Sequence, residues 1–129
     1  MRIIIRWAVL IGFSLGLAAC QSQPSGSPPE AVQNYLQARV DKNVEQMIGL
    51  SCPDWEAQAR IEAASFASMN AMLEEVACAD AGADGGAALV TCSGKIVTTY
   101  NGEGRDWPLE DFTFKVIDDD GEWRMCGYK

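Results

Sequence analysis

Three spacings of apolar residues follow one another along this chain. From Trp7 to Ala19 the residues are apolar or small and uncharged without a break. From about residue 30 to residue 73 the apolar positions recur every three or four places, and beyond Glu74 they alternate. The second regime predicts amphipathic helices and the third predicts half-buried strands.

In the helical stretch, Ser27-Pro28-Pro29-Glu30 reads as a helix start. Serine is the cap, proline sits in the first turn, and glutamate stands three places on to close a capping box. Val32, Tyr35, Leu36 and Val40 then form one stripe on a helix of roughly 29–41, which Asp41-Lys42-Asn43 breaks. Asn43 can cap a second, short helix that buries Val44, Met47, Ile48 and Leu50. Ser51-Cys52-Pro53 ends it. A third helix starts near Asp54 and Glu56, with Trp55, Ala59, Ala63, Phe66, Met69 and Leu73 on one face.

The alternating stretch predicts about four antiparallel strands. Val76 and Cys78 lead to the turn Ala83-Asp84-Gly85-Gly86. Val90, Cys92, Ile96, Thr98 and Tyr100 share one side of a long strand, and Asn101-Gly102-Glu103-Gly104 turns the chain. Leu109, Phe112, Phe114 and Val116 mark the third strand, with Pro108 near its start. Asp118-Asp119-Asp120-Gly121 is the last turn, and Trp123, Met125 and Tyr128 lie on the last strand. Helices first and a meander after them is an α+β arrangement, the helices packed on one face of a curved antiparallel sheet.

The opening Pro29-Glu30-Ala31-Val32-Gln33-Asn34-Tyr35-Leu36 and the ending Gly121-Glu122-Trp123-Arg124-Met125-Cys126 resemble those of the nuclear transport factor 2-like, cystatin-like group. The resemblance spans most of 28–129 and rests on packing motifs. It implies a cone-shaped domain with a pocket inside, and homodimerisation through the exposed sheet face. Tyr35, Trp55, Tyr100, Trp107 and Trp123 are the aromatic residues that could line such a pocket, or could simply fill the core.

The first regime has its own meaning. Arg2 and Arg6 precede the apolar run, and small residues end it, which is the pattern of a secretory signal. As a helix, Trp7–Ala19 would reach only ~20 Å at ~1.5 Å per residue, against about 30 Å of hydrocarbon. An uncleaved anchor, lengthened by Ile3-Ile4-Ile5 with Arg6 snorkelling, is the alternative. Leu17-Ala18-Ala19-Cys20 resembles the lipobox of bacterial lipoproteins. That resemblance implies cleavage before Cys20, a diacylglycerol on its thiol and a further acyl chain such as palmitate on its amine. Two or more chains anchor stably where one is marginal. Gln21 stands where that family's retention signal carries Asp, which implies the outer membrane if the cell has one. The expected organisation is a signal over 1–19, a lipidated Cys20 and flexible linker over 20–29, and an α+β domain over 30–129.

Composition narrows the partners. Ten basic and 18 acidic residues give a net charge of −8, and loss of Arg2 and Arg6 with the signal takes it to −10. Such a surface repels phosphate backbones and anionic headgroups, so nucleic acid is not an expected partner and membrane contact comes through lipid. Histidine is absent, which excludes Ser-His-Asp and Cys-His devices. General acid or base work would fall to a carboxylate, a tyrosine or a lysine.

Beyond Cys20 four cysteines remain, an even number in an exported domain, which favours disulfides over thiols or a metal site. If Asp84-Gly85-Gly86 forms a three-residue loop, Ala83 faces Ala87, and counting outward sets Cys78 opposite Cys92, within bridging distance. Cys52 and Cys126 are then left to each other.

No catalytic residue and no cofactor is expected. Asp118-Asp119-Asp120-Gly121-Glu122 matches a calcium loop only in part and reads as a solvated hairpin turn, so no metal is expected either. Enzymes of the resembling group use a pocket Asp with Tyr or His. Asp41 and Tyr35 come nearest here, with Asp41 in a helix-ending turn. The expected function is a membrane-tethered, non-enzymatic module that binds a small apolar ligand or another envelope protein. The alternative is a small-substrate enzyme of isomerase or dehydratase type.

Overall fold

A computed structural model describes residues 26–129. Its element order is α1 (Pro28–Val40), α2 (Val44–Gly49), a 3-10 turn (Pro53–Trp55), α3 (Glu56–Ser65), then β1 (Asn70–Asp84), β2 (Ala87–Tyr100), β3 (Glu103–Pro108), β4 (Thr113–Asp119) and β5 (Glu122–Tyr128). The protein is therefore an α+β fold, helices followed by a curved antiparallel sheet. The sheet has five strands rather than about four. Among the described residues no helix is long and apolar enough to cross a membrane. The signal, Cys20 and most of the linker lie outside them.

The helix caps follow from local chemistry. Ser27 Oγ accepts from the Glu30 N–H at 3.3 Å, and Asn43 Oδ1 accepts from the Gln46 N–H at 3.1 Å. The third helix is shorter than its apolar stripe predicts. It stops at Ser65, whose hydroxyl donates to the Glu62 carbonyl at 2.7 Å, and Phe66 caps it. Met69 falls in the connection and Leu73 in β1, opposite Ile96. Ala71-Met72-Leu73-Glu74-Glu75 is a good helix former, but pairing with β2 overrides the local preference.

Strand β2 is the spine of the sheet. One edge pairs along its length with β1; the other pairs with β3 over 95–100 and with β4 over 88–91. What reads as one strand around Leu109 is two, because the link through Leu109 and Phe112 leaves the β3 line. Leu109 donates its N–H to the Gly94 carbonyl at 3.0 Å, and Phe112 donates to Leu109 at 3.1 Å, a turn that carries the chain across.

The β1–β2 register contains two bulges. Between Asp80↔Val90 and Ala83↔Ala88, and again between Glu74↔Lys95 and Ala77↔Ser93, β1 advances three residues against two on β2. The hairpin tip is consequently a two-residue Gly85-Gly86 loop with Asp84 facing Ala87, not a three-residue loop. Both glycines have positive φ, as the tight turn demands. The first bulge absorbs the difference, so Cys78 still faces Cys92, and the two are joined. At the second bulge Glu75 has φ +53°, and Gly94 opposite it has φ +85°.

A second disulfide, Cys52–Cys126, ties the helical half to β5. Beside it the Cys52 N–H donates to the Met125 carbonyl, and the Met125 N–H donates to Leu50, both at 2.8 Å. The core between helices and sheet is built from Val32, Tyr35, Leu36, Met47, Val90, Val116 and Met125, all fully buried.

Candidate functional site

One carboxylate is buried at the heart of this core. Glu62 on α3 is 3% exposed. Its Oε2 accepts from the Tyr35 hydroxyl at 2.7 Å and its Oε1 from the Tyr128 hydroxyl at 2.7 Å. Trp55 Nε1 donates to the Tyr35 oxygen at 3.1 Å, completing a chain from indole to phenol to carboxylate. Arg39 Nη1 lies 3.6 Å from Glu62 Oε2 and balances its charge. The Arg39 guanidinium also lies over the Phe66 ring, 4.7 Å from its centroid.

The electrostatics follow from that geometry. Burial first, and then the neighbouring Glu62 carboxylate, push the Tyr35 hydroxyl far above the usual phenol range. Tyr128 is pushed up to about 12, again by burial and then by its hydrogen bond to Glu62. Both phenols are therefore held as neutral donors at physiological pH. Both Glu62 oxygens are occupied by them.

Each of these residues sits where its element must put it. Arg39 follows Val32, Tyr35 and Leu36 by seven, four and three positions, hence on the α1 core stripe. Glu62 is spaced from Trp55, Ala59 and Phe66 in the same way on α3. Tyr128 reaches the core through a bulge between Lys115↔Gly127 and Val116↔Met125, which inserts Cys126 as the extra residue. That is why Met125 and Tyr128, three apart, both face inward. Tyr128 meets Trp55, Phe112 and Phe114 edge to face, at centroid distances of 5.5, 5.3 and 5.7 Å.

Next to this cluster lies a partly enclosed cavity of about 110 Å³. Leu36 and Arg39 from α1 form one wall; Ile96, Leu109, Phe112 and Phe114 form another, with Phe66, Trp107 and Tyr128 at its margins. Apart from Arg39 and the Tyr128 hydroxyl, its lining is apolar and largely aromatic.

The five aromatic residues expected around a pocket do not share one place. Trp107 lines the cavity, its Nε1 donating to Thr98 at 3.0 Å. Tyr35 and Trp55 stand behind its wall in the Glu62 cluster. Tyr100 is 54% exposed at the end of β2, and shares a shallow surface hollow with Met69, Arg105 and Trp107. Trp123 lies apart, in a groove near the start of α1 with Glu30, Asn34 and Arg124. Asp41 caps α1 and is exposed, where Gln37 donates to it at 3.0 Å; it does not meet Tyr35's hydroxyl partner. Asp118 Oδ1 accepts from the Gly121 N–H at 2.9 Å within the β4–β5 turn. Among the described residues no acidic or cysteine cluster is arranged to hold a metal ion. Cys20 lies outside the described residues.

Glu62, Arg39 and Tyr128 were not singled out by sequence reasoning. The signal for the first two was available: a charged residue at core spacing on an amphipathic helix. Nothing in the sequence marked the bulge that turns Tyr128 inward.

The sequence matches no family model and no curated protein. Solved structures do share the fold. A SEC-C motif containing protein from Rhodopseudomonas palustris, known from its solution structure, is similar over 80% of this chain and 77% of its own, with TM-score 0.54 and 10% identity. Aln2 from a Streptomyces species is similar over 77% of this chain and 82% of its own, with TM-score 0.51 and 12% identity. At such identities the likeness is one of α+β architecture and carries no activity.

Proposed function

We propose that this chain is a lipid-tethered, disulfide-locked binding module that holds a small apolar molecule in the cavity between α1 and the sheet. The observation that carries this reading is the cavity itself, about 110 Å³ of largely apolar, aromatic-lined space between α1 and the sheet. An apolar cavity of about 150 Å³ in another protein stays dry and binds benzene, so the space suits a molecule of a few heavy atoms. The finer resemblance to the cystatin-like group, with its cone pocket, supports the same reading.

The enzyme alternative is less well supported. A general base must lie within hydrogen-bond reach of its substrate, and Glu62 is buried behind two tyrosine hydroxyls and is not among the residues that line the cavity. The cluster acts as a brace for the cavity wall. The tether belongs to the proposal too: Leu17-Ala18-Ala19-Cys20 supplies the lipid attachment at Cys20, and the linker sets the domain off an extracytoplasmic membrane face. Cys20→Ala would leave the protein unprocessed or free of the membrane fraction; unchanged mass and fractionation would remove the tether.

Binding is tested by titrating benzene into the folded domain and following the backbone amide signals of Ile96, Leu109 and Phe114. Saturable shifts at these residues are expected, and Ile96→Phe, which fills the space, should abolish them. No saturable shift, or the same shift in Ile96→Phe, would contradict the proposal.

A further inference from the structure

One side chain stands between the cavity and a hollow on the surface. Of the residues around the cavity, Leu36, Phe66, Ile96, Leu109 and Phe114 are buried, while Arg39, Trp107, Phe112 and Tyr128 keep part of their surface in solvent. The way in therefore lies among these four. Three of them are pinned from inside. Tyr128 donates to Glu62 at 2.7 Å and meets three aromatic rings edge to face. Phe112 packs on Phe114 and Tyr128, and Arg39 faces Glu62 and lies over the Phe66 ring. Trp107 is held less firmly. It stands near the end of β3, which among the described residues pairs with β2 alone, and the next residue, Pro108, has no N–H to bond with. Its indole is fixed by one hydrogen bond, Nε1 to Thr98 Oγ1 at 3.0 Å, and by the Arg105 guanidinium, 4.4 Å from the ring centroid. Trp107 also lines the surface hollow that Met69, Tyr100 and Arg105 share.

We propose that Trp107 is the gate of the cavity and Arg105 its latch, so that the ligand enters from the hollow beside Met69 and Tyr100 when the indole swings out. The proposal rests on the binding function above and adds its route of entry. Swinging Trp107 breaks the Thr98 hydrogen bond and the Arg105 stack, two contacts of modest strength, and leaves the Glu62 cluster whole. Moving Tyr128 or Arg39 instead would strip a buried carboxylate of a partner, which costs considerably more. Arg105 is exposed and makes no ion pair among the described residues, so the indole ring is what orders it. Met69 and Tyr100, the latter 54% exposed, give the hollow apolar surface on which an apolar molecule can settle first. The latch is closed with and without ligand. Loosening it lowers the barrier to entry and to exit together and leaves affinity alone.

The test measures association and dissociation rates of benzene by exchange broadening at the Ile96 and Phe114 amides. It compares the unaltered protein with Arg105→Ala and Thr98→Val, two positions outside the cavity lining. Loss of the cation–π contact should raise both rates about two- to fivefold, and loss of the hydrogen bond about two- to tenfold, with Kd changed by less than about twofold. In the unaltered protein the Trp107 indole N–H should broaden on the timescale of benzene exchange. Unchanged rates in Arg105→Ala place the entrance elsewhere and overturn the gate. A faster dissociation with unchanged association, so that Kd rises in step, makes Arg105 a support of the bound state and overturns it too. Either result leaves the binding function standing, whereas an unaltered protein that takes up no benzene removes both. Arg105 is on the surface, so its variant decides the matter even if Thr98→Val, at a buried position, fails to fold.

Discussion

Glu62 is the residue on which most of the interior depends. Its carboxylate unites α1 through Tyr35 and Arg39 with β5 through Tyr128. A glutamine there can accept through one atom only, and it leaves Arg39 without its counter-charge. Glu62→Gln should lower the unfolding free energy by about 2–4 kcal/mol, as loss of a buried charged acceptor does, measured by urea unfolding. The phenols it holds give a second expectation. Folding raises both tyrosine pKa values above the ordinary 10.0, so above that pH the unfolded chain loses protons that the folded one keeps. Stability should therefore be level on this account below pH 10 and fall as pH rises from 10 through about 12. Urea unfolding across that range, with tyrosinate absorbance as a second readout, checks it; Tyr128→Phe should shrink the fall. The charged residues of this cluster were legible in principle, because a lone Arg or Glu at core spacing on a helix has to find a partner inside. Their identity as one cluster was not, since the spacing of one helix does not say which residue of another it will meet.

Among the elements, β1 and β2 show how a correct pairing can stand on different local geometry. Counting outward from a three-residue loop and the actual two-residue loop plus bulge both bring Cys78 to Cys92, because one extra residue in either place shifts the register equally. Gly82, at φ +101°, makes room for that bulge. The second bulge, at Glu75, needs Gly94: a Cβ built on Gly94 would come within 2.5 Å of the Glu75 carbonyl oxygen. Gly94→Ala should cost roughly 2–4 kcal/mol, among the larger effects of a single substitution because backbone strain and collision add. Thermal unfolding of the variant checks it, with Gly102→Ala, where nothing lies within 4 Å, as the milder comparison. The end of α3 was the least legible boundary. An alanine-rich helix stripe runs on past Ser65 in sequence, and only the long-range partner β2 turns Asn70–Glu74 into strand. The division of β3 from β4 was hidden for a similar reason: Phe112, Phe114 and Val116 alternate like residues of one strand, yet Leu109 and Phe112 line the cavity from a turn.

At the scale of the molecule, two covalent ties and one cavity define the design. The α+β order, helices then a curved antiparallel sheet, was legible because the apolar period changes once within the domain, from helical to alternating near Glu74. The two disulfides close loops of 74 and 14 residues. In the chain-entropy model these are worth about 4 and 3 kcal/mol, so Cys52→Ser/Cys126→Ser should lower the urea midpoint more than Cys78→Ser/Cys92→Ser; the reverse order would show that the β1–β2 bridge bears more of the fold. The cavity was not legible. A gap between α1 and the β3–β4 link depends on how a turn crosses the sheet, and no periodicity reports that. Native mass spectrometry of the protein extracted from its own membranes addresses the central claim most directly. The account predicts a small molecule bound without a covalent bond to the wild-type protein and missing from Ile96→Phe. Bare protein in both, or the same adduct in both, would contradict it.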